Sequence, residues 1–436
     1  MISPISKRIR TYSFRLSLVG AFILFWQAAE AQVTNPVKRD TVSGNIAVDT
    51  TQQANKAVDV VTAEANKSHW YQTIALKGYL QVRYNRLLET NPELKTPYDA
   101  SVGDKGGFLI RRARLVFSGQ VHERVFFYVQ MDLGSTPAGS STINFAQIRD
   151  AYADISLDHK NRFRLRVGQS KIPYGFENMQ SSQNRLTLDR SDAINSGLPN
   201  ERDLGLIFYW APDHIRKQFS KLIKAGLKGC GDYGVFGLGI YNGQTVNKVE
   251  ANNNLHVVAR VSYPFAFKNG QVIEHGIQAY TGQYAVTSDQ LSSNEVAGGN
   301  FDDCRIAASL FLYPQPFGFQ TEYNIGKGPQ FNPGNQSIAV KSLHGGYAQA
   351  MYLFRRQKQV FIPFAKIQYY KGGKKAETDA RYSQTYETEI GVEWQPIPAF
   401  ELTAQYTIAD RLTQYYRNPN NRQYGNLLRL QAQINF

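Results

Sequence analysis

An all-β fold is predicted: a transmembrane antiparallel β-barrel of about 16 strands, with short periplasmic turns and long extracellular loops. Three observations carry this. Apolar and polar side chains alternate one by one through segment after segment, which is the period of a strand with one oily face and one wet face. The connections between these segments are alternately short and long. A leader with export character opens the chain, and no later apolar run approaches the roughly 20 residues a membrane helix needs.

The leader comes first. Lys7, Arg8, Arg10 and Arg15 precede an apolar run over 16–26, and Ala29-Glu30-Ala31 supplies small residues for cleavage, so residues 1–31 read as a secretory signal peptide. Residues 32–72 are rich in Thr, Asn, Asp, Gln and Lys with few large apolar groups. Such a segment buries too little surface to offset its ordering entropy, and a mobile periplasmic segment is expected. Residues 73–436 form the barrel, with no linker to divide them.

Strands are expected near 76–88, 108–120, 124–133, 147–158, 162–169, 203–211, 232–242, 254–264, 272–285, 303–313, 317–326, 341–354, 359–371, 384–396, 399–409 and 425–436. In the first, Leu76, Gly78, Leu80, Val82 and Tyr84 oppose Lys77, Tyr79, Gln81, Arg83 and Asn85. In the last, Leu428, Leu430, Ala432, Ile434 and Phe436 oppose Arg429, Gln431, Gln433 and Asn435, so it is expected to close the barrel against the first. Both parities are mixed over 341–354, and no face is assigned there. Short turns fall at 120–124, 158–161, 265–270, 314–316, 355–358 and 396–398. Long loops are expected at 89–107, 134–146, 170–202, 243–253, 285–302, 326–340, 372–383 and 410–424. One connection breaks the rule: residues 211–231 are long although their place is periplasmic, and they are basic, with part expected to extend the flanking strands.

Composition agrees. Aromatic residues make up 13% of the chain, which suits strands and membrane-interface girdles. The formal charge is +14, and removing four basic residues and Glu30 with the leader leaves about +11. For an exported chain that excess points to small anions or acidic lipopolysaccharide rather than nucleic acid. Cys230 and Cys304 form no CxxC and the seven histidines are scattered, so no metal motif and no cofactor are expected. Cys230 should lie on the periplasmic side and Cys304 near the outer mouth, leaving two free thiols. Nor does any nucleophile with a histidine partner suggest an enzyme.

A barrel of this strand number encloses water, and rings of Arg or Lys along the lumen favour anions. The inward parity supplies Arg83, Arg112, Arg114, Arg164, Arg166, Arg260, Lys366 and Arg429. Inward acids, among them Asp132, Asp150, Asp154, Glu387, Glu389 and Glu393, offer the competing reading that these charges merely balance one another. The loop 170–202 carries Lys171, Arg185, Arg190 and Arg202, and a loop of that length without its own core is usually functional. Folded inward it narrows the lumen; an external cap is the alternative.

The chain resembles the phosphate-selective porins O and P, in the form common among Bacteroidetes. The resemblance rests on KGYLQVRY (77–84), FLIRRARLVFSG (108–119), RVGQSKIPYGFE (166–177), RLTLDRSDAIN (185–195) and YPQPFGFQTEYNIGKGP (313–329). It implies a sixteen-stranded homotrimeric outer-membrane porin passing phosphate-like anions, with the third loop folded inward. It places the basic constriction on Arg112, Arg114, Lys171, Arg185 and Arg190. With the inward residues, the expected channel lining is Arg83, Arg112, Arg114, Arg166, Lys171, Arg185, Arg190 and Arg202. The resemblance also makes Phe436 the signal read by the barrel assembly machinery. A weakly selective porin, or a barrel that binds ligands through its loops, is the alternative.

Overall fold

The computed structural model describes residues 70–88, 107–135 and 145–436. The leader and residues 32–69 lie outside the described residues, as do the loop tips 89–106 and 136–144. After a 3-10 turn at Trp70–Thr73, the strands are β1 (Ala75–Leu87), β2 (Gly107–His122), β3 (Val125–Ser135), β4 (Phe145–Ser156), β5 (Phe163–Lys171), β6 (Arg202–Trp210), β7 (Phe236–Tyr241), β8 (His256–Ala266) and β9 (Val272–Val286). They continue as β10 (Gly299–Leu312), β11 (Phe317–Asn332), β12 (Ser337–Tyr352), β13 (Phe354–Arg356), β14 (Gln359–Gly373), β15 (Tyr382–Ile397), β16 (Phe400–Tyr415) and β17 (Asn418–Asn435). β12 and β13 hold one register against β14, with Met351 opposite Phe364 and Phe354 opposite Phe361, so they form one stave interrupted at Leu353. The result is a closed barrel of 16 staves, each antiparallel to its neighbours in the chain.

Closure is made by β1 and β17, from Tyr79 opposite Asn435 to Leu87 opposite Leu427. The ladder is extended by Gly78 and Phe436, which exchange both backbone hydrogen bonds at 2.8 and 3.0 Å. Gly78 is needed there, because a β-carbon would stand 2.6 Å from the Phe436 ring and 2.4 Å from the Arg114 carbonyl oxygen. A closed sheet leaves no backbone edge unpaired in lipid. Outward positions such as Ile277, Ile306, Ile367, Ile390 and Ile408 are exposed, as a lipid-facing belt requires. Exposed rings mark both rims of that belt, Phe265, Phe317, Phe354 and Phe436 on the periplasmic side and Phe108, Tyr323, Tyr386 and Tyr424 on the other.

Two expected loops are corrected. Residues 326–340 and 410–424 are mostly strand, because β11, β12, β16 and β17 project as hairpins closed by residues 333–336 and 416–417. Beyond the membrane no lipid-facing belt marks one parity as apolar, and Phe331 and Ile338 there pack instead with Tyr284 and Val296, so the alternation that marks a membrane strand is lost. The basic connection after β6 is also corrected. It holds a 12-residue helix (Asp213–Lys224) whose Ile215, Phe219 and Leu222 are buried. Residues 225–235 then turn back into the barrel, which carries Cys230 inward with them and shortens β7. Both cysteines are free.

This explains the mixed parity of 341–354. The inward residues are Leu343, Tyr347, Gln349, Met351 and Leu353, and most are apolar because the lumen on that side is filled. Leu343 packs on Ala193 of the third loop. Met351 and Leu353 join a cluster of Phe176, Met179 and Leu186 from that loop, Leu222, Leu227 and Cys230 from the periplasmic segment, and Phe311, Ile362 and Phe364 from the wall.

Candidate channel constriction

The third loop runs inside the barrel between Lys171 and Arg202 and is buried along most of its length. Two single-turn helices shape it, α1 (Phe176–Met179) and α2 (Asp192–Asn195); the periplasmic helix of Asp213–Lys224 is α3. The loop is fastened to the β10–β15 wall by hydrogen bonds. Glu322 of β11 accepts from the backbone N–H groups of Phe176 (2.5 Å) and Glu177 (2.8 Å), two of the donors that a helix start leaves free. Tyr174 donates to Asn324 Oδ1 at 2.6 Å, Lys366 pairs with Glu177 at 2.6 Å, and Lys374 pairs with Asp192 at 2.9 Å. Burial alone would raise the Glu177 carboxyl, but Lys366 and Arg185 hold it below the usual carboxylate range.

The opposite edge of the loop faces the arc from β16 through β17 and β1 to β6. Space remains on this side. One cavity of about 440 Å³ is lined by Tyr79, Tyr128, Gln130, Ser181, Gln183 and Glu401 among others. A smaller one of about 140 Å³ shares Tyr128, Gln130 and Ser181 with it and reaches Arg166, Lys171 and Arg202. The loop therefore divides the lumen into a filled half, packed against β10–β15, and the half that holds these two cavities, here called the open half.

All eight sequence-predicted cations lie on the lumen wall or the loop, and the structure separates them by partner. Five are paired with acids. Arg83 meets Asp189 at 3.1 Å, Arg114 meets Asp132 at 2.8 Å, and Arg166 makes a two-pronged contact with Asp154 at 2.7 and 2.8 Å while its guanidinium stacks 3.9 Å from the Tyr152 ring centre. Arg190 pairs with Glu201, and Arg202 bridges Asp150 (2.9 Å) and Glu201 (2.5 Å). Arg190, Arg202 and Arg149 hold the buried Glu201 carboxyl below its usual range although burial works the other way.

Three have no ion pair among the described residues. Arg112 donates to Gln81 Oε1 at 2.8 Å, and the charges acting on it most are Arg111, Arg114 and Arg185. Lys171 donates to the Met179 and Gln180 carbonyls at 2.8 and 3.0 Å, where α1 ends. Among the described residues Arg185 donates only to the Leu188 carbonyl, at 3.3 Å, and its buried Nε and Nη1 meet no partner there. Buried donors left open in this way are sites that an anion would satisfy.

Two luminal arginines escape a parity reading. Arg111 is the extra residue of a β-bulge, since Gln81 faces Arg112 while Val82 faces Ile110. Arg149 is the extra residue of a second, where Gln130 faces Asp150 and Met131 faces Ile148. A bulge turns two successive side chains toward one side. Arg111 thereby reaches Asp189 (3.5 Å) and Arg149 reaches Glu201 (3.7 Å). The sequence offers only the juxtaposition Arg111-Arg112 and Arg149-Asp150 as a signal. The inward acids are likewise accounted for, with Glu387 on Arg411, Glu389 4.0 Å from Lys366, and Glu393 2.5 Å from Lys228.

The family model described as phosphate-selective porin O and P matches residues 93–436. Among solved structures, OmpF of Salmonella typhi is similar at 13% identity and a TM-score of 0.53, covering 83% of this chain and 97% of its own. The outer membrane channel DcaP of Acinetobacter baumannii gives 13% identity and 0.51 with the same coverage of each chain. At this identity the likeness is one of fold. No curated protein matches the sequence.

Proposed function

The chain belongs to the family of phosphate-selective porins O and P, and on that premise we propose that it passes small anions, phosphate or related oxyanions, by passive diffusion along the open half of the lumen. It is an outer-membrane porin and not an enzyme. The observation that carries the anion reading is the trio Arg112, Lys171 and Arg185, buried cations without a carboxylate partner among the described residues. Guanidinium groups match phosphate oxygens two at a time and stay charged at any physiological pH. Around the trio the paired arginines keep the constriction cationic while lending no free donor of full strength, so an anion is attracted but not trapped. The channel lining in this reading is Arg83, Arg112, Arg114, Arg166, Lys171, Arg185, Arg190 and Arg202, to which the bulges add Arg111 and Arg149.

A weakly selective porin is the second reading, favoured by the five cations that acids already neutralise. Titrating inorganic phosphate against chloride current in planar bilayers separates the two. The anion reading expects phosphate to block the chloride current at concentrations where it contributes little to ionic strength; a current that ignores phosphate supports the weakly selective porin. The same reading gives the chain outer-membrane lipid and lipopolysaccharide as surroundings, which the apolar belt and its aromatic rims support. The family resemblance supports a homotrimer and recognition of Phe436 by the assembly machinery.

A further inference from the structure

We propose that Asp189 is a tethered counter-ion: from the third loop it fills an oxyanion site built by Arg83, Arg111 and Arg429, and a permeating divalent oxyanion takes that site by exchanging with it. The three arginines come from β1, β2 and β17, neighbours across the closure of the barrel. Arg429 reaches Asp189 Oδ2 at 2.5 Å, and Arg83 reaches Oδ2 and Oδ1 at 3.1 and 3.2 Å. Arg111 reaches Oδ1 at 3.5 Å, and only because the bulge turns it inward. Asp189 is thus shared by three guanidinium groups, with Arg112 next in sequence. A phosphate dianion has more oxygens and more charge to offer the same guanidinium groups than a carboxylate has.

Access points the same way. The Asp189 side chain keeps 28% of its surface exposed, whereas those of Arg83 and Arg429 keep 0% and 3%. Arg111 keeps 33%, so the carboxylate and the Arg111 guanidinium together form the open face of the cluster. Its loop neighbour Leu188 is tied by its N–H to Gln405 Oε1 at 2.9 Å and by its carbonyl to Arg83 at 2.9 Å, so the tip is held by a few side-chain bonds. Exchange of one anion for another leaves the arginines paired throughout, which avoids the cost of a buried, unpaired charge. With Asp189 seated, the site is satisfied when no solute is present, and an arriving solute is released again when the tether returns.

This inference rests on the anion-channel reading, and the test distinguishes their failures. The full-length protein, its Asp189→Asn variant and its Asp189→Glu variant are compared in planar bilayers, with potassium chloride current titrated by inorganic phosphate. If the tether leaves the site free in a tenth of the molecules or fewer, Asp189→Asn lowers the half-blocking phosphate concentration by about tenfold or more. Asp189→Glu keeps it near the wild-type value. An Asp189→Asn channel with wild-type anion preference and unchanged block overturns the tether alone, whereas a wild-type channel without anion preference or block overturns the anion reading. Should Asp189→Asn insert poorly, hydrogen exchange on the wild-type protein decides. Blocking phosphate then speeds exchange of the Leu188 amide relative to chloride alone, and an unchanged rate overturns the proposal.

Discussion

Arg112 and Arg114 stand two residues apart on one face of β2, yet neutralising them should have different consequences. Arg112 is held by Gln81 and strands no acid when it is removed, so Arg112→Gln should leave the yield of inserted protein and its heat resistance unchanged while anion preference falls. Arg114 is paired with buried Asp132, and Arg114→Gln leaves that carboxylate without its ion-pair partner. Removing one partner of a buried pair costs about 3–5 kcal/mol, so this variant should lose heat resistance on gels. The loop carboxylates set a pH limit. Asp189 is held well below the usual carboxylate range: burial would raise it, but Arg83, Arg429 and Arg111 outweigh that effect. A depressed folded-state pKa contributes stability that is fully present above the unfolded value near 3.9 and is lost only as pH falls through the folded one. Anchoring of the third loop by Asp189 should therefore hold unchanged from pH 8 to pH 5. Open-channel noise recorded across that range should show no rise; a rise near pH 6 would contradict the pairing.

The periplasmic helix α3 is an element that the sequence contained but strand logic hid. Ile215, Phe219 and Leu222 recur at helical spacing and form its buried face. Set among lysines in a place where the topology calls for a turn, three apolar residues did not outweigh the regular alternation on either side. Phe219→Ala removes a buried ring, with a typical cost of about 3–5 kcal/mol, here concentrated on a segment outside the strand ladder. Single-channel conductance should rise while the barrel keeps its heat resistance, since no strand pairing is touched; unchanged conductance would show that α3 does not restrict the lumen. The bulges at Arg111 and Arg149 are harder to read. An extra residue in a ladder has no composition of its own, and its presence depends on the partner strand's register. The sixteen staves were legible because the lipid-facing parity is apolar along each of them. The hairpin ends outside the membrane lost that signal.

At the scale of the molecule, the closed ladder from β1 to β17 supplies a rigid wall, and the chain then fills half of what it encloses. The apolar inward positions Phe311, Met351, Ile362 and Phe364 make sense only against the third loop and the periplasmic segment that cover them. That is why parity failed in β12, and why cations such as Arg260 and Lys366, paired with Glu274 and Glu177, belong to the filled half. The candidate site was legible as a list of cations but not as an arrangement. Partner choice depends on which loop acid reaches which strand, and Asp189 lies more than a hundred residues from Arg83 in the chain. The central claim is that the open half of the lumen, bounded by the cationic arc from β17 to β6, carries anions. The zero-current potential of the reconstituted full-length protein across a potassium chloride gradient tests it most directly. The potential should shift toward the chloride equilibrium value, and the shift should shrink in Arg112→Gln. A potential on the potassium side would contradict the account.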